Sequence, residues 1–169
     1  MTGIDDVPYI GKAIYSKYPL KDNVLPPSKY KKLFLSGALQ IDNNDLDVVM
    51  VHTTAPVNRD YFDSRNEQLA YLQNSILPNL GESAVVTGDF NTSPWSPRFF
   101  RLNNSLTSND YSRVRNNSFN FSWYYQTLPF FKSQIDHTFL SSDLQPTTYE
   151  LKNFPGSDHK AQVFTISQD

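Results

Sequence analysis

Four places in this 169-residue chain put ionisable or amide side chains at the end of an apolar run or inside one. His52 follows Leu46–Val51, Asp89 and Asn91 follow Ser83–Gly88, Asp136 lies within Gln134–Leu140, and Asp158 with His159 precedes Ala161–Ile166. Carboxylate, imidazole and amide groups brought to one sheet edge can move protons and hold an anion, and such convergence is the chemistry at stake. Each also has a plain structural reading when taken alone. A histidine at a strand end is commonly a satisfied structural side chain. Asp-Phe-Asn after Gly88 can be a turn whose side chains bond nearby backbone, and Ser157-Asp158-His159 after Pro155-Gly156 can be a loop.

The elements that must position these groups follow from hydrophobic period and punctuation. Tyr9–Ser16 is a short apolar and aromatic run, read as a strand ending near Tyr18 before Pro19. Leu33–Ile41 and Leu46–His52 read as strands joined by a turn through Asp42-Asn43-Asn44-Asp45. The second of them carries the continuous β-branched content of a strand covered on both faces. Phe62, Leu69, Leu72 and Ile76 fall at helical spacing over Arg59–Leu77, with Asn58 or Asp60 as cap and Pro78 at the end. Ser83–Gly88 is a further buried strand. Ser96–Leu102 reads as a short helix with Pro97 in its first turn, and Asn103–Asn120, rich in Asn and Ser, as a long loop. Gln134–Leu140, Thr147–Leu151 and Ala161–Ile166 complete about seven strands. The strand, helix, strand succession from Val48 to Val86 predicts a parallel crossover with antiparallel neighbours on either side.

Composition narrows the function. Twelve Phe, ten Tyr and two Trp supply core material that a disordered chain lacks, and the length suits one domain spanning 1–169. A net charge of −2 gives no general attraction to polyanions, so contact with nucleic acid or phospholipid has to come from local geometry. No cysteine is present, which removes thiol nucleophiles, zinc ribbons and iron–sulfur clusters and leaves the compartment open. No apolar run reaches the roughly 18–20 residues of a membrane span, and Met1–Asp6 lacks the basic and apolar regions of a signal peptide. Nucleophile-elbow and phosphate-loop patterns are absent too. His137, next to Asp136 on a strand, should point to the opposite face and pack. Trp95 and Trp123 are rim residues or stacking surfaces, and Lys29, Lys31 and Lys32 form a solvated basic edge.

Taken together, Gly11–Leu20 (GKAIYSKYPL), Val49–Thr53 (VMVHT), Val85–Pro94 (VVTGDFNTSP), Gln134–Ser141 (QIDHTFLS) and Gly156–Lys160 (GSDHK) resemble the endonuclease/exonuclease/phosphatase superfamily. That family comprises deoxyribonuclease I-like nucleases, sphingomyelinases and inositol-phosphate phosphatases. The pieces occur in the family's order and cover the chain from about Gly11 to Ile166. Thr92–Pro97 followed by Arg98-Phe-Phe-Arg is most similar to the branch found as the C-terminal domain of bacterial membrane-associated proteins. The fold implied is an α/β layered sandwich of two packed mixed or antiparallel sheets with outer helices. The activity implied is metal-dependent hydrolysis of a phosphoester, in nucleic acid, a phospholipid headgroup or a sugar phosphate.

The resemblance also implies roles. Asp89 matches the carboxylate that orients or deprotonates water, and Asn91 the amide that holds water and phosphate. His159 matches the imidazole that donates to a phosphoryl oxygen, Asp136 the carboxylate that fixes its tautomer, and His52 a second phosphate-binding imidazole. Asp158, with Asp89 and Asn91, matches the side that holds Mg²⁺ or Mn²⁺. One departure from the family pattern stands out: a strand ending in Asn and a strand carrying a metal-binding Glu normally precede the piece matched by Gly11–Leu20. Neither is found here. The expectation is therefore a domain shortened at its N-terminus, with weak Mg²⁺ binding and an exposed strand edge able to pair with another copy. The second reading is a non-catalytic fragment, or a phosphate- or partner-binding module with an incomplete metal site.

Overall fold

β-Branched and aromatic residues at period two build the central layer. The computed structural model describes residues 11–22, 25–116, 119–125 and 127–168. Its main sheet contains β1 (Leu20–Asp22), β2 (Phe34–Ile41), β3 (Asn44–His52), β4 (Ala84–Asp89), β5 (Tyr111–Arg113) and β8 (Asp136–Ser141). The six strands run in the order β1-β2-β3-β4-β8-β5. β2 and β3 form the expected hairpin, closed by Asp42 at φ +53°. α1 (Arg59–Tyr71) then carries the chain across to β4, which lies parallel to β3, while β8 returns antiparallel to β4. α2 (Pro97–Ser108) follows β4. Two further pairs complete the fold: β6 (Trp123–Tyr125) with β7 (Leu128–Ser133), and β9 (Leu144–Asn153) with β10 (Lys160–Gln168), both antiparallel.

Strand alternation sends apolar groups to both faces of the main sheet. One face carries Phe34, Val49, Val51, Val86 and Phe139 against Leu69, Leu72 and Ile76 from α1 and its continuation, and against Phe99, Leu102 and Leu106 from α2. The other carries Val85 and Leu140, packed with Val114 and Leu144 and covered by Leu46, Tyr149, Phe164 and Ile166. The β9–β10 pair is thus a second sheet packed on the first, and each such buried side chain contributes about 1.5–3 kcal/mol. The α/β sandwich read from the sequence is the fold observed.

Several boundaries differ from expectation. Residues 11–19 form no regular strand, and the first described one is Leu20–Asp22; Tyr9 and Ile10 lie outside the described residues. Asn58 caps α1, accepting from the Tyr61 amide at 2.9 Å. The helix stays α-helical only to Tyr71, then widens into a π turn over Leu72–Ile76 and a short 3-10 turn over Leu77–Asn79, where Pro78 removes a donor. The loop expected over Asn103–Asn120 is instead helix to Ser108 and strand at Tyr111–Arg113, with residues 117 and 118 outside the described set. Asn103, Asn104 and Ser105 are weak helix formers, but Leu106 continues the Phe99–Leu102 stripe and is fully buried, so packing overrides local propensity. The described residues form ten strands rather than seven, because β1, β5 and β6 are three residues each and the β7 sequence LPFFKS shows no clean alternation.

Candidate functional site

Register assembles the first three groups. His52 pairs with Asp89 across the parallel β3–β4 ladder, and Asp89 with Asp136 across the antiparallel β4–β8 ladder. The three side chains therefore form one row across adjacent strand ends. By alternation they share the face of Val85 and Leu140, the side covered by the β9–β10 hairpin. His137, one residue along, points to the other face, where it is 2% exposed and stacks among Phe90, Phe99 and Phe139. Burial pushes its imidazole down to about 3, so it is a neutral core group.

The close approach of β3 to β4 depends on Gly88. A Cβ built there would lie 2.1 Å from the Val51 carbonyl oxygen, and the backbone holds φ +133°, a conformation open only to glycine.

The hairpin delivers the remaining groups. Its connection turns at Gly156, φ +82°, and the Ser157 hydroxyl accepts from the His159 amide at 3.0 Å. β6 fastens this turn from the side: the Tyr124 amide donates to the Asp158 carbonyl at 3.1 Å, and the Lys160 amide donates to the Ser122 carbonyl at 2.7 Å. Trp123 Nε1 also donates to Asp158 Oδ2 at 2.9 Å. Ser122 Oγ in turn accepts from the Ile135 and Asp136 amides at 3.2 and 3.1 Å. His159 Nδ1 consequently meets Asp136 Oδ2 at 2.9 Å.

The turn after β4 is equally constrained. Asn91 adopts φ +46° and donates its backbone amide to Asp89 Oδ1 at 2.7 Å. Its side-chain Nδ2 donates to Asp89 Oδ2 at 2.9 Å and to the Thr53 carbonyl at 2.8 Å. Both amide hydrogens are thus committed, leaving Oδ1 as the atom open to a ligand.

His52, Asp89, Asn91, Asp158 and His159 line one open cleft of about 640 Å³, and Asp136 stands behind His159. Asp89, Asp136 and His159 offer ligand atoms within 4.8 Å of one another. Burial, then the negative charge of Asp136, pushes the Asp89 carboxyl up from 3.8 to about 7. The hydrogen bond to Asp136 raises the His159 imidazole above its ordinary value, against the opposing effect of burial. His52 is lowered, first by burial and then by the positive charges of Lys12 and His159. His52 Nε2 lies 4.0 Å from Asp89 Oδ2.

Three contributors were not singled out from sequence. Arg65 is 3% exposed, lines the cleft, and donates to the Asn91 carbonyl and to Asn66 Oδ1. It has no carboxylate partner among the described residues. Its signal was a cation three residues after Phe62, on the apolar stripe of α1. Thr53 and Ser122, 1% exposed each, hold Asn91 and Asp136 through backbone and hydroxyl contacts that leave no mark in sequence.

A family model described as "Endonuclease/Exonuclease/phosphatase family" matches residues 4–159. No curated protein matches the chain. Among solved structures, an endonuclease/exonuclease/phosphatase from Beutenbergia cavernae is 16% identical, with TM-score 0.69, over 90% of this chain and 46% of that one. A beta toxin from Staphylococcus aureus is 17% identical, with TM-score 0.61, over 91% of this chain and 66% of the other. D. rerio TDP2, solved with a single-strand DNA product, is 16% identical, with TM-score 0.68, over 88% of this chain and 69% of that one. At such identities the likeness is one of fold.

Proposed function

The chain belongs to the endonuclease/exonuclease/phosphatase family, and from that premise we propose that it is a metal-dependent phosphoester hydrolase in which Asp89 and His159 act on the same phosphoryl group. The observation that carries this reading is the 2.9 Å contact of His159 Nδ1 with Asp136 Oδ2, beside Asp89 and Asn91 in one cleft.

Asp136 holds the proton on Nδ1 and favours the imidazolium, so Nε2 can donate to a non-bridging phosphoryl oxygen. Asp89, once ionised, accepts a proton from water, and its position is held by two donors from Asn91. His52 completes the wall against which the phosphoryl group rests. Arg65 keeps the Asn91 peptide in its left-handed conformation and adds fixed positive charge beneath the cleft.

The donor set suits a hard divalent cation, Mg²⁺ or Mn²⁺. Carboxylate oxygens of Asp89 and Asp158 and Oδ1 of Asn91 are the atoms that would hold it. Burial first and Asp136 second raise the Asp89 carboxyl, and a cation beside it would favour the ionised form. The Asp136–His159 pair is read as a proton-holding pair, because its facing atoms are engaged with one another. When bound, the ion supplies charge stabilisation to the oxygens of the phosphoester.

The test is hydrolysis of bis(p-nitrophenyl) phosphate with and without Mg²⁺ by the wild-type chain and by His159→Gln. Metal-dependent turnover that falls about 10²- to 10⁴-fold in the variant is expected. Equal turnover in both would overturn the assignment. Retained phosphate binding without any turnover in the wild type would favour the non-catalytic module.

A further inference from the structure

Beside the cleft, one side-chain amide oxygen is buried without a partner among the described residues, and a second, largely buried amide stands next to it. Asn120 is 4% exposed, and its Oδ1 is fully enclosed with no hydrogen bond from any described residue. Gln134 is 8% exposed and makes no side-chain hydrogen bond among the described residues. An enclosed acceptor left unpaired costs about as much as a lost hydrogen bond, so it marks a place where a donor is meant to arrive.

Both amides lie on the wall of one cavity of about 480 Å³, within the range of small-ligand sites. Aromatic rings flank it. Trp95 is 59% exposed, and Phe119 is 77% exposed with its plane fixed by stacking on Phe121 at 5.6 Å and 12°. Arg113 and Arg115 line the same cavity, and Arg113 is lowered by burial and then by the charge of Arg115. Neither has a carboxylate partner among the described residues. In a chain of net charge −2, this is a local cationic site that lacks its anion.

The cavity adjoins the cleft. Pro94 and Trp95 follow Ser93 on the cleft wall, and Gln134 sits between Ser133 and Ile135, which also line the cleft. A ligand with a flat π face, hydrogen-bonding edge groups and a phosphate beside them answers all of these features at once. A sugar phosphate offers the rings only C–H faces, and a choline-type headgroup would bring its cation against Arg113 and Arg115.

We propose that the cavity bounded by Trp95, Arg113, Arg115, Phe119, Asn120 and Gln134 is a nucleobase subsite, and that the phosphoester cleaved next to it belongs to a single-stranded polynucleotide. This rests on the phosphoester reading of the adjoining cleft. Turned toward the cavity, the Asn120 side chain brings Oδ1 to accept from a base N–H and Gln134 contacts the same edge, while Trp95 or Phe119 stacks on the ring. The arginines take the flanking phosphate. A duplex keeps the face of the base stacked and its Watson–Crick edge paired, which favours an unpaired strand as the substrate.

The experiment is fluorescence anisotropy of the full chain in EDTA with a labelled oligodeoxyadenylate, a fully abasic strand of the same length, and a duplex. The expected result is binding of the oligodeoxyadenylate at least about tenfold tighter than either control, at a fixed salt concentration. Trp95→Ala, at an exposed position, should weaken it about tenfold. Asn120→Leu should weaken it by a similar factor with no fall in melting temperature, because it deletes an unpaired acceptor; a purely structural role predicts a fall. Equal affinity for the oligodeoxyadenylate and the abasic strand, or wild-type affinity in Trp95→Ala, overturns the subsite even if hydrolysis is intact. Absent hydrolysis with base-dependent binding retained overturns the catalytic reading instead.

Discussion

Replacing Asp89 by Asn should remove the pH dependence of stability that this carboxyl imposes. Its carboxyl is raised from 3.8 to about 7, by burial first and by Asp136 second. At about 1.4 kcal/mol per pH unit, that corresponds to about 4 kcal/mol held against the ionised form. Below pH 3.8 the folded and unfolded chains both carry the proton, and the full stability is present. Between 3.8 and about 7 the folded chain keeps a proton that the unfolded chain has released, so stability falls as pH rises; above about 7 the loss is complete. The amide of the Asp89→Asn variant has no proton to lose. Urea unfolding of wild type and Asp89→Asn from about pH 4 to 8.5 isolates the effect, because other groups cancel in the difference. Wild-type stability relative to the variant should drop by about 3–4 kcal/mol across that range. His159 softens the slope, since ionised Asp89 helps to hold its charge. Added Mg²⁺ should flatten the slope further if Asp89 is a ligand. A wild-type-minus-variant difference constant within about 1 kcal/mol would refute the reasoning.

Other perturbations test separate links. Asp136→Asn should keep the fold and lower kcat/KM about 10²- to 10⁴-fold, with the alkaline limb of the pH–rate profile moved to lower pH, because Asp136 is the main group raising His159; an unmoved limb would break the pairing. Gly88→Ala should cost at least about 3 kcal/mol or prevent folding, since its Cβ would fall 2.1 Å from the Val51 carbonyl at φ +133°; a melting temperature within a few degrees of wild type would contradict the close approach. Arg65→Met should keep helix α1 but lower kcat more than it raises KM, and Arg65→Lys should not restore it, because a point charge cannot reach Asn91 and Asn66 together; steady-state kinetics of both variants checks this. Asn58→Ala should destabilise by about 1 kcal/mol through loss of the α1 cap, measured by thermal unfolding.

Local sequence carried a good deal of this protein. Val48–Val51 and Val85–Val86 read as strands on period and β-branching alone, and the helical spacing of Phe62, Leu69, Leu72 and Ile76 between them required a parallel crossover, as β3, α1 and β4 show. Gly-Asp-Phe-Asn and Ser-Asp-His, each following a strand or a glycine turn, were visible as polar groups at strand ends. His137 was legible as core because alternation leaves it no other face. Local information failed where long-range burial set the outcome. Leu106 extends α2 through Asn-Asn-Ser because the sheet beneath it needs an apolar cover. β6 exists because its backbone is stitched to Asp158 and Lys160, more than thirty residues away in sequence. The row His52–Asp89–Asp136 depends on strand register, and the arrival of His159 depends on a hairpin from a second sheet, so spacing along the chain holds no record of either distance. The raised Asp89 carboxyl is the same kind of property: desolvation and a neighbouring charge arise only when segments remote in sequence exclude water together.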